Sequence, residues 1–202
     1  RPEGEYPAQT WVDYSAEGRG VTLLNRGLPG NNVVDGVMLL SLLKCTALKE
    51  GYGEFQLETA TRRGYEIGVP HTFEYALLVH NGDWRAAQAY RRGAEFNHPL
   101  IAWKPRPAAG RLPARMSFLQ VQGQGVALSV VRACPEGMIV RAYEAEGRAV
   151  DQAALELAWP IQQAFELNLV EKEEKALPLQ SPGKRLSFAL RPFEIKTFRL
   201  AH

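Results

Sequence analysis

Short apolar or alternating runs recur along the chain, and glycine, proline or charged residues separate them. Alternation with a period of two suits strands that bury one face, and a series of short runs with turn residues between them is typical of an all-β fold. We therefore expect an all-β protein. The predicted strands lie at residues 10–14, 20–25, 37–45, 65–80, 117–122, 126–134, 138–144, 150–157, 165–168, 186–190 and 194–200.

One short helix is expected after an aromatic strand. The stretch HTFEYALLVHNGDWR, residues 71–85, alternates along the strand and then becomes polar. The residues that follow have high helix propensity, with large or apolar side chains spaced three apart from Trp84 onward. Asp83 is placed to cap the amino terminus of this helix. The pattern thus predicts a helix over residues 83–95.

A domain boundary is expected in a proline-rich segment. Prolines cluster between residues 99 and 113, and proline lacks the amide donor that a regular ladder of hydrogen bonds needs. We divide the chain into residues 1–112 and residues 113–202. The second part, of roughly 90 residues, has a size that suits a compact β-sandwich.

Composition excludes several classes of partner. The chain has 202 residues, of which 46% are hydrophobic and 23% are charged, as in ordinary globular proteins. Its formal net charge is +2, so the long-range field is weak and we expect neither nucleic acid nor membrane as a partner. The two cysteines, Cys45 and Cys134, do not have the spacing of a metal knuckle or a disulfide framework. These features favour a cytoplasmic location.

The sequence lacks the common motifs of catalysis and metal binding. None of its four histidines belongs to an HExxH pair or a close ligand set. For His80, we expect a structural contact with a neighbouring backbone group, and a sugar-facing or domain-interface position is the alternative. Glu144 and Glu146 form an acid pair, which solvated faces and turns explain better than the two spaced carboxylates of a glycosidase.

Candidate substrate contacts come from the loop LLNRGLPGNNVVDG, residues 23–36. A buried apolar strand delivers Asn25 and Arg26 to a turn rich in glycine and proline, where an amide and a planar cation suit sugar hydroxyls. The alternative is that both side chains only satisfy loop carbonyls. Lys44 ends the next apolar strand and would lie beside this loop if the two strands form a hairpin. The alternative is a lysine at a strand end whose ammonium group simply extends into solvent.

A series of motifs occurs in a fixed order along the chain: LLNRGLP, LSLLK, HTFEYALLVHNGDWR, FNHPL, VRAYEAEG, NLVE and RPFEIKTFRL. Together they resemble the carboxyl-terminal region of glycoside hydrolase family 38, the α-mannosidases, over nearly the whole chain. The NRGLP form is similar to bacterial members, including mannosylglycerate hydrolases. The resemblance implies a β supersandwich, related to galactose mutarotase-like folds, followed by a small terminal β-sandwich.

The resemblance also implies that the chemistry lies elsewhere. In this family a retaining mechanism uses an aspartate nucleophile, a second carboxylic acid and a divalent metal, usually zinc, in an amino-terminal catalytic domain. We therefore expect this chain to contain no catalytic residue and no metal ligand, and to be inactive alone. Its expected partners are that catalytic domain of the same chain and a mannose-containing carbohydrate, and the sequence leaves self-association into a homo-oligomer open.

The family pattern implies substrate contacts from the β region. The matching basic position is Lys44, where relatives often have arginine, and Asn25 and Arg26 correspond to the loop after the preceding strand. The alternative function is an independent carbohydrate-binding module, in which Trp11, Trp84 and Trp103 would offer flat faces for sugar stacking.

Overall fold

The computed structural model of the chain describes residues 4–43, 70–104, 106, 109–172, 174–180 and 182–201. These residues form strands in several sheets and one short helix, so the predicted all-β class is confirmed. The chain divides into two units, Arg1–Ile101 and Ala102–His202. The division falls in the proline-rich segment, and the assignment of residues 1–112 and 113–202 to a supersandwich and a terminal sandwich stays a prediction.

The first unit contains two antiparallel three-stranded sheets among its described residues. Its strands are β1 (Tyr6–Pro7), β2 (Trp11–Ala16), β3 (Arg19–Arg26), β4 (Gly30–Val34), β5 (Val37–Leu40) and β6 (Glu74–Asn81). One sheet has the order β1-β4-β5, and the other has the order β2-β3-β6. Most residues of β3 are buried because this strand lies in the middle of its sheet.

Helix α1 (Ala89–Asn97) packs on β2 and β3. Ala89 and Tyr90 are buried in this contact. A glycine is needed at position 93, since a β-carbon there would lie only 2.7 Å from Cδ1 of Trp11. The close approach of helix and sheet therefore depends on a residue without a side chain.

The helix begins later than the sequence predicts. Oδ1 of Asp83 accepts hydrogen bonds of 3.0 and 3.1 Å from the backbone amides two and three residues ahead. These bonds cap the turn that precedes α1, so the predicted capping of the helix itself is wrong. Gln88, with φ of 51°, then separates this turn from the helix in a left-handed conformation.

The second unit packs a three-stranded sheet against a five-stranded sheet. Its strands are β7 (Leu119–Gln122), β8 (Val126–Cys134), β9 (Gly137–Glu144), β10 (Val150–Leu157), β11 (Gln163–Leu167), β12 (Glu174–Leu177), β13 (Arg185–Leu190) and β14 (Ile195–Ala201). The sheets have the orders β13-β10-β7 and β12-β11-β14-β9-β8. All strand pairs are antiparallel.

The core of the second unit lies between its two sheets. Phe198 and Leu200 of the five-stranded sheet meet Leu155 and Leu186 of the three-stranded sheet in one cluster, and all four side chains are fully buried. The rings of Phe198 and Phe188 are 4.8 Å apart and tilted by 52°. This geometry is favourable for aromatic pairs.

Strand positions follow the apolar pattern closely in the second unit. β8 and β10 coincide with the predicted residues 126–134 and 150–157. The sequence does not predict β1, β4 and β12, which are short or polar and owe their conformation to pairing with neighbours. Parts of the predicted strands 37–45 and 65–80 lie outside the described residues. No helix in the described part has the length and apolar character needed to cross a membrane.

Glu144 connects two turns of the second unit. Its carboxylate accepts hydrogen bonds from the backbone amides of Glu146 and Gly147, both 2.7 Å, and of Phe193, 2.8 Å. The predicted solvated position is wrong for Glu144 and Glu146, which are 2% and 3% exposed. Burial raises the pKa of the Glu144 carboxyl, but the amide donors outweigh burial and hold this pKa below its ordinary value of 4.5.

We expect Glu144→Gln to destabilise the second unit by about 1 to 3 kcal/mol at neutral pH, because charge-assisted hydrogen bonds become neutral ones. A pKa that is lower in the folded state contributes stability above the unfolded pKa, and this contribution is lost as pH falls through the folded pKa. The difference from wild type should thus shrink in acid. Urea unfolding of the full-length protein, with hydrogen exchange of peptides from this unit, measures it. The matched control is Asp151→Asn on an exposed carboxylate; an equal loss in both variants would contradict the assignment.

Candidate functional site

A pocket in the first unit lies beside the loop that joins β3 to β4. Its volume is about 580 Å³, and residues 5–7, 27–30 and 41–43 line it. Gly27, with φ of 70°, starts the loop in a left-handed conformation that glycine adopts at low cost. Leu28 is only 8% exposed and anchors the loop on the unit.

Backbone hydrogen bonds hold the three lining segments together. The amide of Ala8 donates to the carbonyl of Pro29 at 2.8 Å, and the amide of Ser41 donates to the carbonyl of Gly30 at 2.9 Å. A β-carbon at Gly30 would collide with the Glu5 carboxylate. The Glu5 carboxylate thus lies close to the main chain of the pocket wall, in space that a side chain at position 30 would occupy.

The lining can bind a hydroxyl-bearing ligand. The Glu5 carboxylate accepts hydrogen bonds, and the hydroxyl of Ser41 both donates and accepts them. Leu42 and Leu43, 42% and 45% exposed, offer apolar surface beside these polar groups. Polar groups beside apolar surface are typical of ligand-binding pockets.

The structure places Asn25 inside the unit, with no exposed surface. Its Nδ2 donates a hydrogen bond of 3.1 Å to the main-chain carbonyl of Ala8. The main-chain carbonyl of Asn25 accepts a hydrogen bond of 2.9 Å from Nδ2 of Asn97. Within the described residues its Oδ1 is buried and has no hydrogen-bond partner. Asn25 thus ties the pocket segment and α1 to β3, and its substrate contact stays a prediction.

Arg26 lies at the end of β3 with its side chain 36% exposed. Its guanidinium pairs with the carboxylate of Glu74, donates to the carbonyl of Phe96 and lies 4.8 Å from the centroid of the Phe96 ring. Its Nε is buried without a partner in the described part of the chain. The structure brings Asn25 and Arg26 together at the end of β3, whereas Lys44 lies outside the described residues.

Trp84, one of the three tryptophans that the alternative binding module would use for sugar stacking, contacts two neighbouring side chains. The ring centroids of Trp84 and Trp11 are 5.5 Å apart. The guanidinium carbon of Arg85 lies 4.1 Å from the centroid of the Trp84 ring. These contacts join the turn before α1 to β2, so Trp84 supports the fold. Trp103, by contrast, is 85% exposed.

A buried polar network was missed by sequence reasoning. Nε2 of His80 lies 2.7 Å from Oδ2 of Asp13, and the hydroxyl of Thr22 donates to the same oxygen at 2.6 Å. The side chains of His80 and Asp13 are only 7% and 4% exposed. Gly20 leaves room for the imidazole, since a β-carbon there would collide with it. His80 is therefore structural: its close partner is the Asp13 carboxylate, and its Nδ1 also lies 3.4 Å from the main-chain carbonyl of Asn81, the kind of neighbouring backbone contact that the sequence predicts.

The hydroxyls of this network are not placed as exposed nucleophiles. The Thr22 hydroxyl lies 3.2 Å from Nε2 of His80, but Thr22 is fully buried. The hydroxyl of Ser15 donates to Oδ1 of Asp13, so it is bonded to the carboxylate and not to the imidazole. A serine nucleophile needs a hydrogen bond to its base. The network depends on the register of β2, β3 and β6, and this register cannot be predicted before the order of the strands in the sheet is known.

The carboxyl-terminal part matches a known family. Residues 125–198 match the profile of the Glycosyl hydrolases family 38 C-terminal beta sandwich domain. Human Alpha-mannosidase 2C1 is 30% identical over 199 residues, and the mouse protein of the same name is 27% identical over 199 residues. Each alignment covers 96% of this chain and 18% of the relative. The chain thus spans about a fifth of the length of these curated relatives.

Solved structures share the fold. A protein in the glycosyl hydrolase family 38 from Enterococcus faecalis superposes with a TM-score of 0.74 at 20% identity, covering 97% of this chain and 22% of that one. An alpha-mannosidase from Enterococcus faecalis V583 gives 0.75 at 22% identity, covering 98% and 21%. The resemblance that the ordered motifs predict is therefore confirmed.

We expect Asp13→Ala to destabilise the first unit by about 1 to 3 kcal/mol, because His80 and Thr22 lose a buried acceptor. Ser15→Ala is the matched control, since it removes one donor and leaves the other bonds of Asp13 in place; it should cost about 0.5 to 1.5 kcal/mol. Thermal unfolding and hydrogen exchange of β2 and β6 peptides in the full-length protein measure both changes. A smaller loss for Asp13→Ala than for Ser15→Ala would contradict the structural role.

Proposed function

Because this chain matches the carboxyl-terminal β region of glycoside hydrolase family 38 in motifs, family profile and fold, we propose that it is the non-catalytic β region of an α-mannosidase. In this proposal it packs on an amino-terminal catalytic domain of the same protein and contributes carbohydrate contacts to the active site. The observation that supports it is the alignment with alpha-mannosidases over 96% of this chain but only 18% of their length. Most of such an enzyme would lie outside this chain.

The carbohydrate contacts are proposed at the end of β3 and the pocket beside it. Asn25 Oδ1 and Arg26 Nε are buried polar atoms without partners among the described residues, and such atoms are uncommon in folded proteins. Arg26 is the better placed of the two for direct contact because part of its side chain is exposed. We propose that Asn25 contributes by holding the loop, and that Lys44 adds a point charge where relatives often have arginine.

The metal of the reaction belongs to the proposed catalytic domain. The described residues contain no group of three His, Cys, Asp or Glu side chains that could hold an ion, so they do not fit a metal centre. We propose that zinc or another divalent metal is held by the remaining part of the full-length protein. We also propose a mannose-containing substrate and a cytoplasmic location. The location is supported by Cys45 and Cys134, because their spacing does not suggest the disulfide framework that is common in secreted proteins.

The first test is hydrolysis of an aryl α-mannoside. We expect the full-length protein to cleave it, to lose activity on treatment with a chelator and to regain activity when zinc is added. The isolated segment of residues 1–202 should show no hydrolysis, because it would lack the nucleophile and metal ligands. Hydrolysis by that segment, or metal-independent cleavage by the full-length protein, would contradict the proposal.

The second test concerns Arg26. In the full-length enzyme we expect Arg26→Ala to raise KM for the mannoside about tenfold, as the loss of one charge-assisted hydrogen bond predicts. Glu74→Gln is the matched control, since it breaks the ion pair of Arg26 but keeps the guanidinium. Its KM should remain near the wild-type value. Equal changes in KM for the two variants would show that Arg26 acts through structure alone.

A further inference from the structure

We propose that the second unit has a carbohydrate-binding pocket of its own, on the outer face of the five-stranded sheet. Its ligand is a neutral hydroxylated ring of the hexose class. The choice of mannose as the first candidate rests on the proposed function. The pocket lies wholly within the second unit and shares no residue with the pocket beside β3.

Strand register builds this pocket. Arg132 of β8 lies opposite Ile139 of β9, and Ile139 lies opposite Arg199 of β14. Side chains in such a row share one face of the sheet. The opposite face of the same strands carries the core residues Val140 and Phe198. The row therefore faces away from the core, and the space above it has a volume of about 330 Å³.

The floor of the pocket is apolar. Ile139 and Leu167 line it and are only 3% and 7% exposed, although neither belongs to the core between the sheets. Because these two side chains are almost fully covered, they offer only a small apolar surface at the base of the pocket for the C–H face of a sugar ring. A pocket of about 300 Å³ or more is large enough for a small ligand.

Two arginine–glutamate pairs form the walls. Nε and Nη2 of Arg199 donate to the two carboxylate oxygens of Glu174 at 2.9 and 2.6 Å. The Arg199 guanidinium also lies 4.4 Å from the centroid of the Phe165 ring, and its side chain is 15% exposed. The bidentate bond and the stacking fix this group before any ligand arrives.

The second wall is held in a similar way. Arg132 pairs with Glu171, and Glu171 also accepts a bond of 3.2 Å from Nη2 of Arg141. Arg132 is the more accessible partner, with its side chain 50% exposed. Each arginine has five N–H donors, and each carboxylate has more lone-pair sites than these bonds use. Both walls thus keep donors and acceptors available.

The balance of charge selects the ligand class. Arg132 and Arg199 line the pocket together with Glu136, Glu171 and Glu174, and Arg141 pairs with Glu171, so three cations balance three carboxylates. An anion or a cation would meet a repelling group of its own sign within a few ångströms. A hydroxyl group both donates and accepts hydrogen bonds, so adjacent arginine and glutamate groups suit it.

The experiment is calorimetric titration of the full-length protein with D-mannose after chelator treatment, which removes the metal that the proposed active site requires. We expect mannose binding to persist. Arg132→Ala should weaken it about tenfold through loss of a charged donor, and Cys134→Phe should abolish it by filling the pocket from the end of β8. Inorganic phosphate should not compete.

Two variants serve as matched controls. Arg185→Ala removes an arginine that pairs with Glu156 on the three-stranded sheet, and Val131→Phe adds the same ring on the opposite face of β8, where Val131 is 56% exposed. Both should bind mannose as wild type does. Arg132→Ala keeps the test valid if Cys134→Phe fails to fold, because the Arg132 side chain is half exposed.

The outcomes separate this inference from the proposed function. Three results would contradict the proposed pocket. They are absence of mannose binding after chelation, unchanged mannose binding in both Arg132→Ala and Cys134→Phe, and binding of phosphate that is stronger than the binding of mannose. Mannoside hydrolysis without a second mannose site would reject the pocket and leave the proposed function standing. Mannose binding at the pocket in a protein that does not hydrolyse mannosides would support the pocket and contradict the α-mannosidase assignment.

Discussion

Burial of β3 between β2 and β6 constrains the whole first unit. Thr22 and Asn25 of this strand are fully buried, so their polar side chains must find partners inside the unit. Thr22 meets the Asp13 carboxylate, and Asn25 bonds to the chain before β2. Arg26, at the strand end, is the first residue that reaches both solvent and α1. The position of the proposed substrate contacts therefore follows from where β3 leaves the sheet.

In the second unit a single strand forms core and surface at once. β14 lies between β9 and β11, and its alternate residues point to opposite faces. Phe198 and Leu200 enter the core between the sheets, whereas Arg199 points outward and pairs with Glu174. The packing that fixes the strand also fixes the guanidinium, because side chains on a packed strand have little freedom to turn. The packing of the core and the position of the proposed ligand-binding arginine therefore both depend on β14.

Several polar groups in both units hold turns or strands together. Glu144 accepts bonds from two turns of the second unit, and Asp83 accepts bonds from the turn before α1. His80 is bonded to Asp13 in a site closed to solvent. These residue types are also those of catalytic sites, so composition alone does not separate the two roles. Their partners and burial do, and for Glu144, Asp83 and His80 they indicate structural roles.

The apolar pattern by itself determined the all-β class and the main strands of the second unit, because alternation and turn residues are local properties. It located Asn25 and Arg26 at a strand end for the same reason. The resemblance to the family rested instead on the specific residues of the ordered motifs. Only the tertiary structure decided that Asn25 is buried, that His80 meets Asp13 and that Arg132 and Arg199 line one pocket. Such contacts join residues far apart in the chain, and they depend on sheet order and register, which no local pattern specifies.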